Sequence, residues 1–467
     1  MTVAVVNEAG LRSTQTATAI RHYVQQQLHE QRIPGAAVAV VAGGETVLLE
    51  GFGSTAAKGG RPVTPQTLFQ IGSVTKSMTA MAVLQLRERG LIDLDAPVQQ
   101  YLPWFRVKDE AASKQITVRH LLNQTSGLFN AAWKISLTDP AITESQANAV
   151  RAAAALPLHS PPGAKWQYSN MNYIILGQLV ETITGEPYRQ YMREHILAPL
   201  GMARAAFDYA EVQHHDHASH HMLKLGRLVE IEVDTAGWGD AAGLSLYCSA
   251  EDMARYAQAM LGAIPPEVIP PARLDELQTG TEPMDMNNLR YGFGWMSTNF
   301  HGRRAVFHAG GTGGHQAMIA LLPEENLGVV VQANAFGQAT GKIAVNILRI
   351  LHGEAPDQPD FMPDLGKTFG AAIRVMTGLG ILGLITAATA AVAGWSVHPV
   401  ITAVLAAIAL LLALMPSAMK RNPAIPLPIP IKGVGPGGWP VDMIAAWAAM
   451  LGGMAAWAIY GLFVWIR

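Results

Sequence analysis

The sequence holds one cysteine, Cys248, in 467 residues. No intrachain disulfide can form, so cysteine usage gives no clue to redox compartment. Cys248 itself reads as a small core residue rather than a nucleophile. Charge is also scarce, at 15% of residues, against about 25% in ordinary soluble chains. The formal net charge of -2 excludes a general nucleic-acid binder, which needs a basic face. The first twenty residues lack a basic start, and Glu8 breaks their short apolar run. They do not read as a secretory signal peptide. No internal repeat is evident.

The apolar excess gathers at the end of the chain. After a polar, Pro-rich linker over 353–368, residues 369–467 carry three long runs with almost no charge. Each is about 20 residues or longer, enough to cross a hydrocarbon core as a helix. Trp395, Trp439, Trp447, Trp457 and Trp465 stand mostly near run ends, as interfacial anchors do. Gly378, Gly380 and Gly383 would let such helices pack closely. The sequence therefore predicts a membrane domain of three transmembrane helices over 369–467, with the lipid bilayer as a partner.

Residues 1–352 read as a separate domain. A helix is expected over 15–31. Two β-rich runs flanking Gly43-Gly44 predict a hairpin. "LFQIGSVTKSMTAMAVLQL", Leu68 to Leu86, reads as a strand end, a turn and a helix that stops near Arg89. "ITVRHLLNQTSGL" predicts a short helix and a turn. A second long helix is expected from Asn172 to Thr184, capped by Gly185. Ser249 and Asp252 are spaced nearly as a capping box. "RAVFHAGGTGGHQAMIALLP" and "LGVVVQAN" read as neighbouring antiparallel strands, followed by a helix from Gly341. Strands open and close the domain, so they must pair across about 250 residues.

The opening stretch carries chemistry. Ser73 follows Gly72 at a helix start, and Lys76 rises on the same face three residues later. Burial lowers a lysine's pKa, so its amine can accept a proton and activate a serine without a histidine. "QYSNMN" adds Tyr168, a phenol that can carry protons or act as phenolate base. It also adds Asn170, an amide that can orient the lysine or a substrate carbonyl. "FHAGGTGG" puts His308 near a strand end beside Gly310 and Gly311. Glycine there lets a substrate lie against the backbone. The Gly311 and Ser73 N–H groups could form an oxyanion hole, each worth about 3 kcal/mol.

With "SVTK", "YSN" and "HAG" in this order, the chain resembles the penicillin-recognising serine hydrolases, in their class C β-lactamase-like branch. "RHLLNQTSGL", "SPPGAKWQYSN" and "AAGLSLYCSAEDMARY" also look like its framework, and the resemblance covers about 20–352. It implies an α+β fold, an antiparallel sheet flanked by helices plus a helical lobe. It implies nucleophile Ser73, with Lys76 and Tyr168 as proton-transfer groups, and substrate contacts from Asn170, His308, Gly310 and Gly311. No cofactor or metal is implied. The reaction would acylate Ser73 and then hydrolyse the acyl-enzyme.

One departure matters. The third motif of true β-lactamases is usually Lys-Thr-Gly, whose cation meets a carboxylate. His-Ala-Gly shifts the expected substrate to a small-molecule or peptide amide or ester lacking one. Gln70, one turn before Ser73, is neutral, whereas an aminopeptidase would want an acid there. A hydrolase domain before three spanning helices resembles the membrane-bound peptidases that activate acylated peptide prodrugs. The leading expectation is amide hydrolysis. The alternatives are an esterase or transacylase, a weak β-lactamase, or a non-catalytic penicillin-binding-like sensor. Lys420, Arg421 and Lys432, in the loop between the second and third runs, would keep that loop and the domain cytoplasmic. The resemblance implies the extracytoplasmic side, which is the expectation adopted. "HHDHASHH" (214–221) gives no tetrahedral metal set and is expected to be a solvated loop.

Overall fold

A computed structural model describes residues 14–128, 145–224, 227–232, 242–243, 245–284, 288–335, 337 and 339–356. The three apolar runs expected to span a membrane lie outside the described residues. Among those described, no helix is long and apolar enough to cross a membrane.

The strands are β1 (Gly35–Ala42), β2 (Glu45–Gly53), β3 (Phe69–Gln70), β4 (His220–Lys224), β5 (Arg227–Ile231) and β6 (Tyr247–Cys248). They continue as β7 (Glu282–Pro283), β8 (Arg290–Gly292), β9 (Trp295–Phe300), β10 (Arg303–Gly311), β11 (Gln316–Leu322) and β12 (Leu327–Ala333). Eight form one sheet in the order β2-β1-β12-β11-β10-β9-β8-β7. The chain's two ends meet in it: β1 pairs antiparallel with β12, with Ala36 opposite Ala333. The short strands β3 and β6 pair separately. The Gly43-Gly44 turn has φ of 60° and 80°, the left-handed pair a two-residue hairpin needs.

The central strands are buried along their whole length, which explains their continuous apolar sequences. On β1, Ala39 and Val41 join one core while Ala36, Val38 and Val40 join another. Helices α1 (Thr14–Gln31) and α5 (Ala339–Leu351) cover the second face. The first core holds α2 (Thr75–Glu88), α3 (Asn170–Thr184) and α4 (Ala250–Gln258). Gly185 closes α3 at φ 74°. Ser249 accepts from the Asp252 N–H, and the Asp252 carboxylate accepts from the Ser249 N–H. The capping box is therefore complete.

Two expectations need correction. Strands β7 to β9 were not foreseen, because β7 and β8 span only two and three residues and glycines interrupt the run. The histidine run is not one solvated loop. His214 and His215 are exposed, but His220 and His221 are buried at the start of β4. Asp216 is held by the Thr67 hydroxyl at 2.5 Å and by Arg61 at 2.7 Å.

Candidate active site

Ser73 stands in a single 3-10 turn, Gly72–Val74, directly ahead of α2. Gly72 turns the chain at φ 55°, and a methyl group there would lie 2.6 Å from the Gly311 nitrogen. A methyl on Gly310 would lie 1.8 Å from the Ile71 carbonyl oxygen and 3.2 Å from the Ser73 nitrogen. Only glycine lets β10 approach the Ser73 turn this closely. The backbone around Gly311 and Ser73 is thereby brought to one place.

Lys76 is fully buried. Its Nζ donates to Ser73 Oγ at 3.0 Å and to the Gly243 carbonyl at 2.9 Å. It lies 5.1 Å above the Tyr168 ring and 5.7 Å from that of Tyr173. The Tyr168 hydroxyl donates to Ser73 Oγ at 2.7 Å. Hydroxyl, amine and phenol, up to 95 residues apart, thus meet at one oxygen. Burial, followed by the neighbouring Tyr291, pushes the Tyr168 phenol well above its ordinary range, against the opposing hydrogen bond to Ser73. This favours the protonated phenol as a proton donor at rest over a standing phenolate.

The loop bearing Tyr168 is set by Gln124, which sequence reasoning passed over. Its backbone is left-handed at φ 60°. Its carbonyl accepts from Gln167 N–H at 2.7 Å, and its side-chain oxygen accepts from Ser169 N–H at 2.9 Å. The only signal was the turn-like "NQTSGL". Asn170 is the first residue of α3 and is buried, and its Oδ1 has no partner among the described residues. Trp166 and Tyr291 pack beside Tyr168 at 6.4 and 6.5 Å between ring centroids.

His308 lies on β10, on the same face as Val306 in the first core. Its Nδ1 is 2.7 Å from the Ala309 carbonyl oxygen, so Nδ1 carries the proton. Nε2 is then a lone-pair acceptor, buried and without a partner among the described residues. Burial, then the positive Lys76, draws its pKa down to about 3, while the Ala309 carbonyl opposes this. Burial and the neighbouring Lys76 thus both disfavour a charged His308 imidazolium. Gln70, the neutral residue one turn before Ser73, is buried with its side chain against His220. Cys248 is buried too, and burial pushes its thiol well up. That fits a core residue.

The family model described as Beta-lactamase matches residues 20–354. The chain belongs to the beta-lactamase family. It is a serine hydrolase of that family. Over 373 residues it is 27% identical to the protein flp of Staphylococcus aureus strain MW2, covering 78% of this chain and 73% of that protein. It is 31% identical to the esterase EstB of Burkholderia gladioli over 310 residues, 58% of this chain and 77% of the esterase. The solved octameric penicillin-binding protein homologue from Pyrococcus abyssi superposes with a TM-score of 0.68 at 27% identity. That match covers 73% of this chain and 78% of the homologue. The beta-lactamase family fold accounts for the antiparallel sheet with its covering helices.

Proposed function

We propose that this beta-lactamase-family chain hydrolyses an uncharged acyl compound through an acyl-enzyme on Ser73. The observation that carries the reading is the double contact at Ser73 Oγ, 3.0 Å from Lys76 Nζ and 2.7 Å from the Tyr168 oxygen. In the reactive state the Lys76 amine is neutral and takes the Ser73 proton as Oγ attacks the carbonyl carbon. The Ser73 and Gly311 N–H groups hold the developing oxyanion. Collapse breaks the bond to the leaving group, which takes a proton from the Tyr168 phenol. Lys76 returns its proton to Tyr168. Water then repeats the sequence against the acyl-enzyme.

The neutral His308 wall supports a substrate without a carboxylate at that position. Its bare Nε2 would instead accept from a substrate N–H or O–H. An ester is the leading substrate class, supported by the relative named an esterase. An amide is the second reading, supported by the protonated Tyr168, since an amine leaves only with a proton. β-Lactam hydrolysis ranks below both. The apolar runs over 369–467 support a membrane anchor, with 353–368 as linker and 1–352 as the catalytic domain; the family resemblance, against the basic loop between the runs, supports the extracytoplasmic side for that domain.

A fluorophosphonate probe tests the nucleophile. Wild type should gain one adduct on the peptide holding Ser73, and Ser73→Ala should gain none. An unlabelled wild type supports the non-catalytic sensor instead. p-Nitrophenyl esters, acyl-D-amino-acid amides and a chromogenic cephalosporin then rank the substrate classes. Protease accessibility on intact cells reports the side of the membrane.

A further inference from the structure

Behind the nucleophile turn lie two histidines that the proposed reaction does not use. His220 and His315 are buried, with their rings stacked at 3.8 Å and 10°. Phe69 and Tyr247 border His315 at 5.6 and 6.4 Å. The Gln70 N–H donates to His315 Nδ1 at 2.8 Å, while His315 Nε2 lies 3.2 Å from the Ser219 carbonyl oxygen. An amide N–H only donates and a carbonyl only accepts. The proton of His315 is therefore on Nε2, and Nδ1 is bare. His220 Nε2 sits 3.3 Å from the Gln70 side-chain oxygen, so the pair holds both the backbone and the side chain of Gln70.

The other end of this contact leads to the glycine strand. Thr312 N–H donates to the His315 carbonyl at 3.0 Å, and His315 N–H donates to the Thr312 hydroxyl at 3.3 Å. This closed turn joins His315 to Gly311 through four residues. Gln70 in turn stands only three residues ahead of Ser73. We propose that His315 is a positioning residue that ties the chain ahead of Ser73 to the turn beyond Gly311, fixing the gap between their two N–H groups. The inference rests on the acyl-enzyme reading above. Burial, then His220, keeps the imidazole well below its ordinary pKa of 6.5, so the acceptor persists at working pH. Without it the Gln70 N–H is a buried donor with nothing to meet. Small displacements of oxyanion donors are costly, about 10- to 100-fold per ångström-scale misplacement.

Two variants of the full chain test this. His315→Phe keeps a flat ring against His220 and Phe69 but has no acceptor. His315→Asn shortens the side chain but keeps an acceptor oxygen near the Nδ1 position. On a p-nitrophenyl ester, His315→Phe should lose about tenfold or more in kcat with KM within about threefold. Affinity for phenylboronic acid, which forms a tetrahedral adduct on the serine, should fall by a similar factor. His315→Asn should recover most of both. Thermal melts accompany each variant. If His315→Phe does not fold, His315→Asn decides alone: it should stay within about threefold of wild type, and a larger loss in a native fold overturns the proposal. An unchanged kcat and boronate affinity in folded His315→Phe also overturns it, as do equal losses in both variants. A wild type that fluorophosphonate never labels removes the acyl-enzyme reading and this one together. An active wild type with an indifferent His315→Phe removes this one alone.

Discussion

Ser73 Oγ accepts hydrogen bonds from Tyr168 and Lys76 at once, so the two partners should fail differently. Tyr168→Phe keeps the ring beside Trp166 and Tyr291 but cannot carry a proton. We expect kcat to fall by about 10²- to 10⁴-fold with little change in KM, and more for amides than for esters. Lys76→Ala removes the base and leaves a buried hydroxyl, so turnover should be lost entirely. Steady-state kinetics on matched substrates check both. His308 is drawn down to about 3, so it stays neutral above about pH 5 and contributes no acid limb there. His308→Gln should raise KM yet leave the pH midpoint of kcat/KM where it was. A midpoint that moves would mean that His308 titrates during catalysis.

The elements that place these side chains differ in how plainly the sequence announces them. The Gly43-Gly44 hairpin, the α4 cap and the continuous apolar β11 and β12 each follow from local pattern alone. Ser73, Lys76, Tyr168 and His308 could be proposed because their motifs sit at turns and strand ends. Gln124, Gly243 and His315 could not, because their partners are 43 or more residues away in sequence. The pairing of β3 with β6 was hidden for the same reason, whereas β7 and β8 pair with near neighbours but span only two and three residues, too short for a propensity signal. Two substitutions separate scaffold from site. Ser249→Ala should cost about 1 kcal/mol of stability and leave kcat unchanged, measured by urea unfolding beside an ester assay. Gly310→Ala drives a methyl to 1.8 Å from the Ile71 oxygen. It should cut activity at least as strongly as it lowers the melting temperature.

Taken whole, the described part of the molecule buries several histidines, and for His220, His308 and His315 burial opposes the charged form. Burial draws His220 and His308 down to about 3, and His315 well below its ordinary 6.5. The unfolded chain binds these protons first as pH falls, so the contribution is intact above about 6.5 and is lost on the way down toward about 3. Each histidine adds at most about 1.4 kcal/mol of destabilisation per pH unit in that window. Urea midpoints should therefore drop steeply between about pH 6 and pH 4, and less steeply in His220→Phe. The proposed membrane anchor is tested at this scale too: if the carboxy-terminal runs span a bilayer, the full chain should resist carbonate extraction from membranes, and a chain ending at Gly353 should not. The central claim is covalent chemistry at one serine. Rapid-quench mass spectrometry of the full chain with a p-nitrophenyl ester measures it directly. The account predicts an added acyl mass on the Ser73 peptide that forms and decays within turnover and is absent from Ser73→Ala. Turnover with no such mass, or with the acyl group on another residue, would contradict it.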